Sequence, residues 1–108
     1  MISQQIKQKI KNHAQSVAPK ECCGFVFEKD IFECKNYSEN PNHHFSISPR
    51  EYLKASSLGD FKAVYHSHPQ GEAKFSPYDI HVSQNMNLNF ILYHNSTDEF
   101  LFFDPTDE

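Results

Sequence analysis

Apolar residues recur at Ile2, Ile6, Ile10, Ala14 and Val17, four and three apart, with Gln, Lys and Asn between them. That spacing predicts a first helix with one apolar face, and Pro19 ends it. Two short β-rich runs follow, residues 22–28 and 31–37, with Lys29-Asp30 as the turn of a hairpin. Residues 38–44 (Ser-Glu-Asn-Pro-Asn-His-His) have loop chemistry, and Phe45–Ser48 is predicted as a third strand.

Ser48, Pro49 and Glu51 read as an N-cap, a first-turn proline and the start of a second helix, running to about Ser57 with Gly59 beyond its end. Phe61–Ser67 is predicted as a strand, Pro77 to about Met86 as a third helix, and Phe90–His94 and Phe100–Asp104 as two final strands around an Asn95–Asp98 turn. Strands interleaved with helices predict an α/β (α+β) domain with a single mixed β-sheet flanked by about three helices. The acidic stretch Asp104–Glu108 is predicted to be unstructured, and no internal repeat is present.

The length of 108 residues suits one domain over 1–108. Hydrophobic residues at 38% and charged residues at 22% supply a core and argue against disorder. The formal charge of −4 comes without a Lys/Arg stripe, so nucleic acid is not an expected partner. Residues 1–11 are too polar for a signal peptide, and no apolar run approaches the length of a membrane span, so no membrane partner is expected. Three cysteines, two of them adjacent, do not make a disulfide framework, which fits a reducing, cytoplasmic setting.

The chemistry concentrates in residues 65–79, Y-H-S-H-P-Q-G-E-A-K-F-S-P-Y-D. Side chains alternate along a strand, so His66 and His68 share a face, about 7 Å apart at Cα, and can converge on one ion. Pro69 cannot join a sheet ladder and leaves the pair at a strand end. Further on, Ser76-Pro77-Tyr78-Asp79 has a complete structural explanation as a helix start, with Ser76 the N-cap and Asp79 at the third helical position. The same Asp79 is equally the third ligand that two imidazoles need. Two His and one carboxylate suit one Zn²⁺ with a fourth position for a bound water, the open coordination of a catalytic site. Of Cys22 and Cys23, at most one could reach that ion, because adjacent strand residues point oppositely.

With Glu21, His66-Ser67-His68-Pro69 and Ser76-x-x-Asp79 all present, the chain resembles the JAMM (Jab/MPN, Mov34) zinc metallopeptidases over nearly its whole length. The resemblance implies a cytidine deaminase-like fold, Glu21 as general base, His66, His68 and Asp79 as ligands of one zinc with its water, and Ser76 as an oxyanion stabiliser. It implies hydrolysis of a peptide or isopeptide bond in a peptide or protein substrate. Glu21-Cys-Cys-Gly-Phe25 and the compact C-terminal half look like the bacterial and phage branch, including tail assembly proteins related to tail protein K. That branch implies a role in tail assembly or cell-wall processing, a virion-associated alternative to the cytoplasm, and an NlpC-type peptidase partner. There is no room for the insertions with which eukaryotic relatives hold ubiquitin.

Two other readings use the same residues. A cysteine peptidase built on Cys22 leaves H-x-H-P and S-x-x-D unexplained. A non-catalytic assembly module on the same fold is at odds with a complete ligand set. His43 and His44 are expected as solvated loop residues, His13, His81 and His94 as surface positions without a role, and both Cys22 and Cys23 as buried strand residues.

Overall fold

A computed structural model describes residues 2–106. The elements in chain order are α1 (Gln4–Val17), β1 (Cys23–Val26), β2 (Ile31–Cys34), α2 (Pro49–Ser57), β3 (Ala63–His68), α3 (Pro77–Met86), β4 (Asn89–His94) and β5 (Glu99–Phe103). The strands form one mixed sheet in the order β2-β1-β3-β4-β5. Among the described residues only β3 and β4 run parallel, because α3 carries the chain back across the sheet between them; the β1–β2, β1–β3 and β4–β5 pairs are antiparallel.

Alternation along the strands sorts the core into two layers. On one face Ile6, Ile10 and Ala14 of α1 pack on Cys22, Val26, Tyr65 and Tyr93. On the other Phe25, Val64 and Phe90 pack with Phe45 and with Ala55 of α2, and Val82 of α3 joins them at the margin. Cys22 and Cys23 therefore face opposite layers, and all three cysteines are buried and free. No helix among the described residues is long and apolar enough to cross a membrane.

All three helices start at the serines expected to cap them or at an equivalent one: Ser3, Ser48 and Ser76 each accept from a backbone N–H three residues on. Several boundaries differ from the sequence reading. The first hairpin ladder is shorter, because the Phe27 N–H donates to the Asp30 carbonyl and closes the turn, and because β2 stops at Cys34. The predicted strand at Phe45–Ser48 does not form. Among the described residues its one backbone link to a neighbouring segment runs from the Tyr37 N–H to the Ser46 carbonyl, while the Ser46 N–H goes to the Asn36 side chain, which also accepts from the Ser38 N–H and donates to the carbonyls of Glu21, Pro41 and His44. β3 begins later than predicted, at Ala63, and reaches one residue further, to His68. The C-terminal stretch is not featureless either, since Asp104 accepts from the N–H and hydroxyl of Thr106; residues 107–108 lie outside the described residues.

Two histidines expected on the surface are buried. His13 falls in the apolar stripe of α1, three residues after Ile10, and its Nδ1 pairs with the Tyr65 hydroxyl at 2.7 Å. Burial pushes His13 below the ordinary imidazole range, against the raising effect of Glu33. His94 is likewise buried, at the end of β4. The exposed His43, His44 and His81 match the expectation.

Gly24 lies across β1 from Tyr65, whose ring covers it. A Cβ at this position would run into the Phe32 backbone carbonyl and sit 2.5 Å from the Tyr65 ring. The carbonyl belongs to the ladder and cannot move aside. Gly24→Ala should therefore destabilise the protein by about 3 kcal/mol, as overpacked cores do. The check is a lower urea midpoint at an unchanged denaturant slope.

Candidate metal centre

His66 and His68 project from the last turn of alternation in β3 onto the α3 side of the sheet, and α3 begins with Asp79 facing them. His66 is completely buried, His68 is partly exposed, and Asp79 is buried. The Nε2 atoms of His66 and His68 lie 3.2 and 3.3 Å from the same oxygen, Asp79 Oδ2. One donor atom from each of the three residues falls within 4.8 Å of the others. Tetrahedral zinc with bonds of about 2.0–2.1 Å has ligand–ligand edges of about 3.3 Å, so the two measured edges fit such an ion. No other His, Cys or acidic residue among the described residues joins this set.

The helix-start reading of Ser76-x-x-Asp79 holds, and it leaves the Asp79 carboxylate facing both histidines. Ser76 Oγ accepts from the Asp79 N–H at 3.0 Å, and Asp79 Oδ2 accepts from the Ser76 N–H at 2.9 Å, a reciprocal capping box. The oxygen that caps the helix is the one that faces the two histidines. Its backbone bond orients it without consuming all its lone pairs.

His66 is the member of the cluster whose surroundings leave most room for an ion. Both of its ring nitrogens are buried and neither makes a hydrogen bond of acceptable geometry. A buried imidazole without partners is costly, and a cation at Nε2 would give one of the two nitrogens a partner. Phe45 stacks on the ring at 4.8 Å between centroids, with Phe75 and Phe90 near its edge, so water has no access there.

The charges are polarised accordingly. Burial lowers His66 below the ordinary imidazole range and prevails over the raising effect of Asp79. At His68 burial acts downward too, but Asp79 and Glu21 outweigh it and raise the group. Burial would raise Asp79, yet the two histidines and the Ser76 N–H hold it far below the usual carboxylate range. The carboxylate is thus ionised and ready to bind a cation.

Glu21 is nearly as buried, 4% exposed, immediately before β1. Its Oε2 lies 4.0 Å from His68 Nε2, outside the three-residue set. Burial pushes its carboxyl up to about 8, with His68 acting downward and Asp79 upward. The backbone of Glu21 is held at both ends: its N–H donates to Pro41 O at 2.7 Å, and its carbonyl accepts from Asn36 Nδ2 at 3.0 Å. Sequence reasoning missed Asn36, whose side chain joins the Glu21 carbonyl to nearby loop groups from Ser38 to Ser46; the Asn36-x-Ser38 turn is its local signal.

Above the cluster opens a cleft of about 560 Å³ whose walls include Glu21, His43, His44, His68, Lys74 and Ser76. His43 and His44 are cleft walls rather than ligands. Cys22 is elsewhere: it faces the α1 layer, and burial first among several causes pushes its thiol up to about 12. An activated thiolate needs the opposite shift, so the cysteine peptidase reading has no structural support.

The fold and the cluster together define a JAB-type domain. Residues 3–104 match the family described as prokaryotic homologs of the JAB domain, and the chain belongs to that family. It is similar to the tail tip assembly protein K of Escherichia phage N15, 39% identical over 74 residues, which covers 65% of this chain but only 30% of that relative. The chain thus spans less than a third of the curated relative it matches. Its fold resembles a solution structure from Desulfitobacterium hafniense (TM-score 0.76, 21% identity, covering 94% of this chain and 79% of the other). It also resembles the crystal structure of a JAB1/MPN domain protein from Archaeoglobus fulgidus (TM-score 0.64, 17% identity, covering 99% and 89%).

Proposed function

We propose that this domain is a zinc metallopeptidase that hydrolyses a peptide or isopeptide bond. The observation that carries this reading is the buried His66 Nε2, without a hydrogen-bond partner and set on an edge of zinc dimensions with His68 and Asp79 around it. His66, His68 and Asp79 would hold the ion. When bound, Zn²⁺ would polarise the scissile carbonyl and acidify a coordinated water.

The remaining roles fall to the chain itself. Glu21 stands beside the ligand set without joining it, with a carboxyl that burial makes ready to hold a proton near neutrality. It accepts the proton of the attacking water and passes it to the leaving amine. Ser76 uses a lone pair to cap α3, which leaves its O–H free to donate to the oxyanion that develops at the former carbonyl. The similarity to a tail tip assembly protein supports a setting in tail assembly, in the cytoplasm or on the virion.

The test uses purified protein loaded with zinc and a panel of peptides joined through either α- or ε-amino groups. Cleavage of at least one linkage class is expected, abolished by a chelator and restored by Zn²⁺. Stoichiometric zinc without cleavage of either class would favour the assembly-module reading instead.

A further inference from the structure

We propose that His94 is a positioning residue for the metal cluster: it pins the 69–76 segment so that the Glu72 carbonyl orients the His68 ring. The inference rests on the metal reading above. His94 ends β4 directly beside His68 in the parallel register, is 4% exposed and does not line the cleft. Its Nε2 lies 3.0 Å from the Gly71 carbonyl oxygen. A carbonyl can only accept, so this nitrogen carries a proton and donates. On the other side of the ring, Nδ1 lies 2.8 Å from the Thr97 hydroxyl, which reaches Glu99 at 2.7 Å. The imidazole is therefore held from both sides and acts as a strut between the β4–β5 turn and the loop over the cluster.

The loop has two anchors. Gly71, at φ +84°, presents its carbonyl to His94, and Phe75 tucks against His66 and Phe103. Between these anchors the Glu72 carbonyl sits 3.4 Å from His68 Nδ1, while His68 Nε2 faces Asp79. A ligand imidazole whose far nitrogen donates to a carbonyl has its tautomer and ring plane set and is a better donor to the metal. At 3.4 Å this contact is already long. A small retreat of the loop loses it, which is why its anchor matters. An apolar residue at position 94 would fill the space and leave the Gly71 carbonyl without its donor.

The experiment is a competition titration of the full chain with Zn²⁺ against a chromophoric chelator. His94→Leu, which keeps bulk and removes both ring nitrogens, should weaken zinc binding about 10- to 100-fold. His94→Gln, whose amide N–H can still reach the Gly71 carbonyl, should recover to within about threefold of wild type. The absorption of the Co²⁺-substituted protein should shift in His94→Leu and return in His94→Gln, which lost stability alone would not produce. Equal affinity and equal spectra in wild type and a folded His94→Leu would overturn the proposal. Should His94→Leu fail to fold, Thr97→Val on the exposed turn decides: a few-fold weakening supports the strut and an unchanged affinity rejects it. A wild type that binds no zinc would remove the metal reading itself, a result distinct from either.

Discussion

Replacing His66 and His68 together by alanine should abolish stoichiometric zinc and reduce hydrolysis at least about a thousandfold, since an unassisted water is a far weaker nucleophile. The same change should erase the stabilisation that zinc confers. A ligand at 100 times its Kd adds about 2.7 kcal/mol to the native state, enough to raise the melting temperature of wild type by several degrees in a domain of this size. The double variant should show no zinc-dependent shift. The contrast is informative because the two histidines are unequal: His66 is sealed beneath Phe45, whereas His68 opens to the cleft. Removing His66 also removes two orphaned nitrogens, so the metal-free variant is relieved of an unsatisfied polar burden while it loses packing. Zinc content by elemental analysis and melting curves with and without Zn²⁺ decide the matter, and equal zinc in wild type and variant would remove the metal assignment.

How far the sequence reaches toward this site depends on the range of the interaction. Period-two alternation places His66 and His68 on one face, and a serine–proline helix start places Asp79 one turn into α3; both are local and were readable. The choice between cap and ligand for Asp79 was not, because it depends on where α3 lies relative to β3. In the structure the oxygen that caps the helix is also the one that faces both histidines. Asn36, His13 and His94 were missed for a related reason. Their partners Glu21, Tyr65 and Gly71 are brought near only by the completed sheet. His13 did carry a signal, for it sits between Ile10 and Ala14 on the buried stripe of α1, and the helical period alone puts it inside. The absent strand at Phe45–Ser48 follows the same logic: β-forming residues are present, but the Ser46 N–H goes to the Asn36 side chain in place of a neighbouring strand.

Glu21→Gln separates binding of the ion from use of it. Glutamine has the shape of glutamate and keeps a carbonyl acceptor, but it can neither take a proton from water nor return one to an amine. Glu21 Oε2 stands 4.0 Å from His68 Nε2 and contributes no atom to the ligand set, so the variant should bind zinc with the wild-type stoichiometry. The fold should tolerate it as well. Burial already drives this carboxyl toward its neutral form, and a neutral amide asks for no ionic desolvation. Its backbone bonds to Pro41 and Asn36 do not involve the side chain. Hydrolysis should fall by about 10²- to 10⁴-fold, the usual contribution of a positioned general acid–base, with the loss in kcat rather than in KM because the group acts in the transition state. Full zinc with lost turnover is the pattern expected of a base. Lost zinc would instead make Glu21 a ligand, and unchanged turnover would take it out of the mechanism and pass the proton to another group on the cleft wall, where His43 and His44 are the nearest in kind.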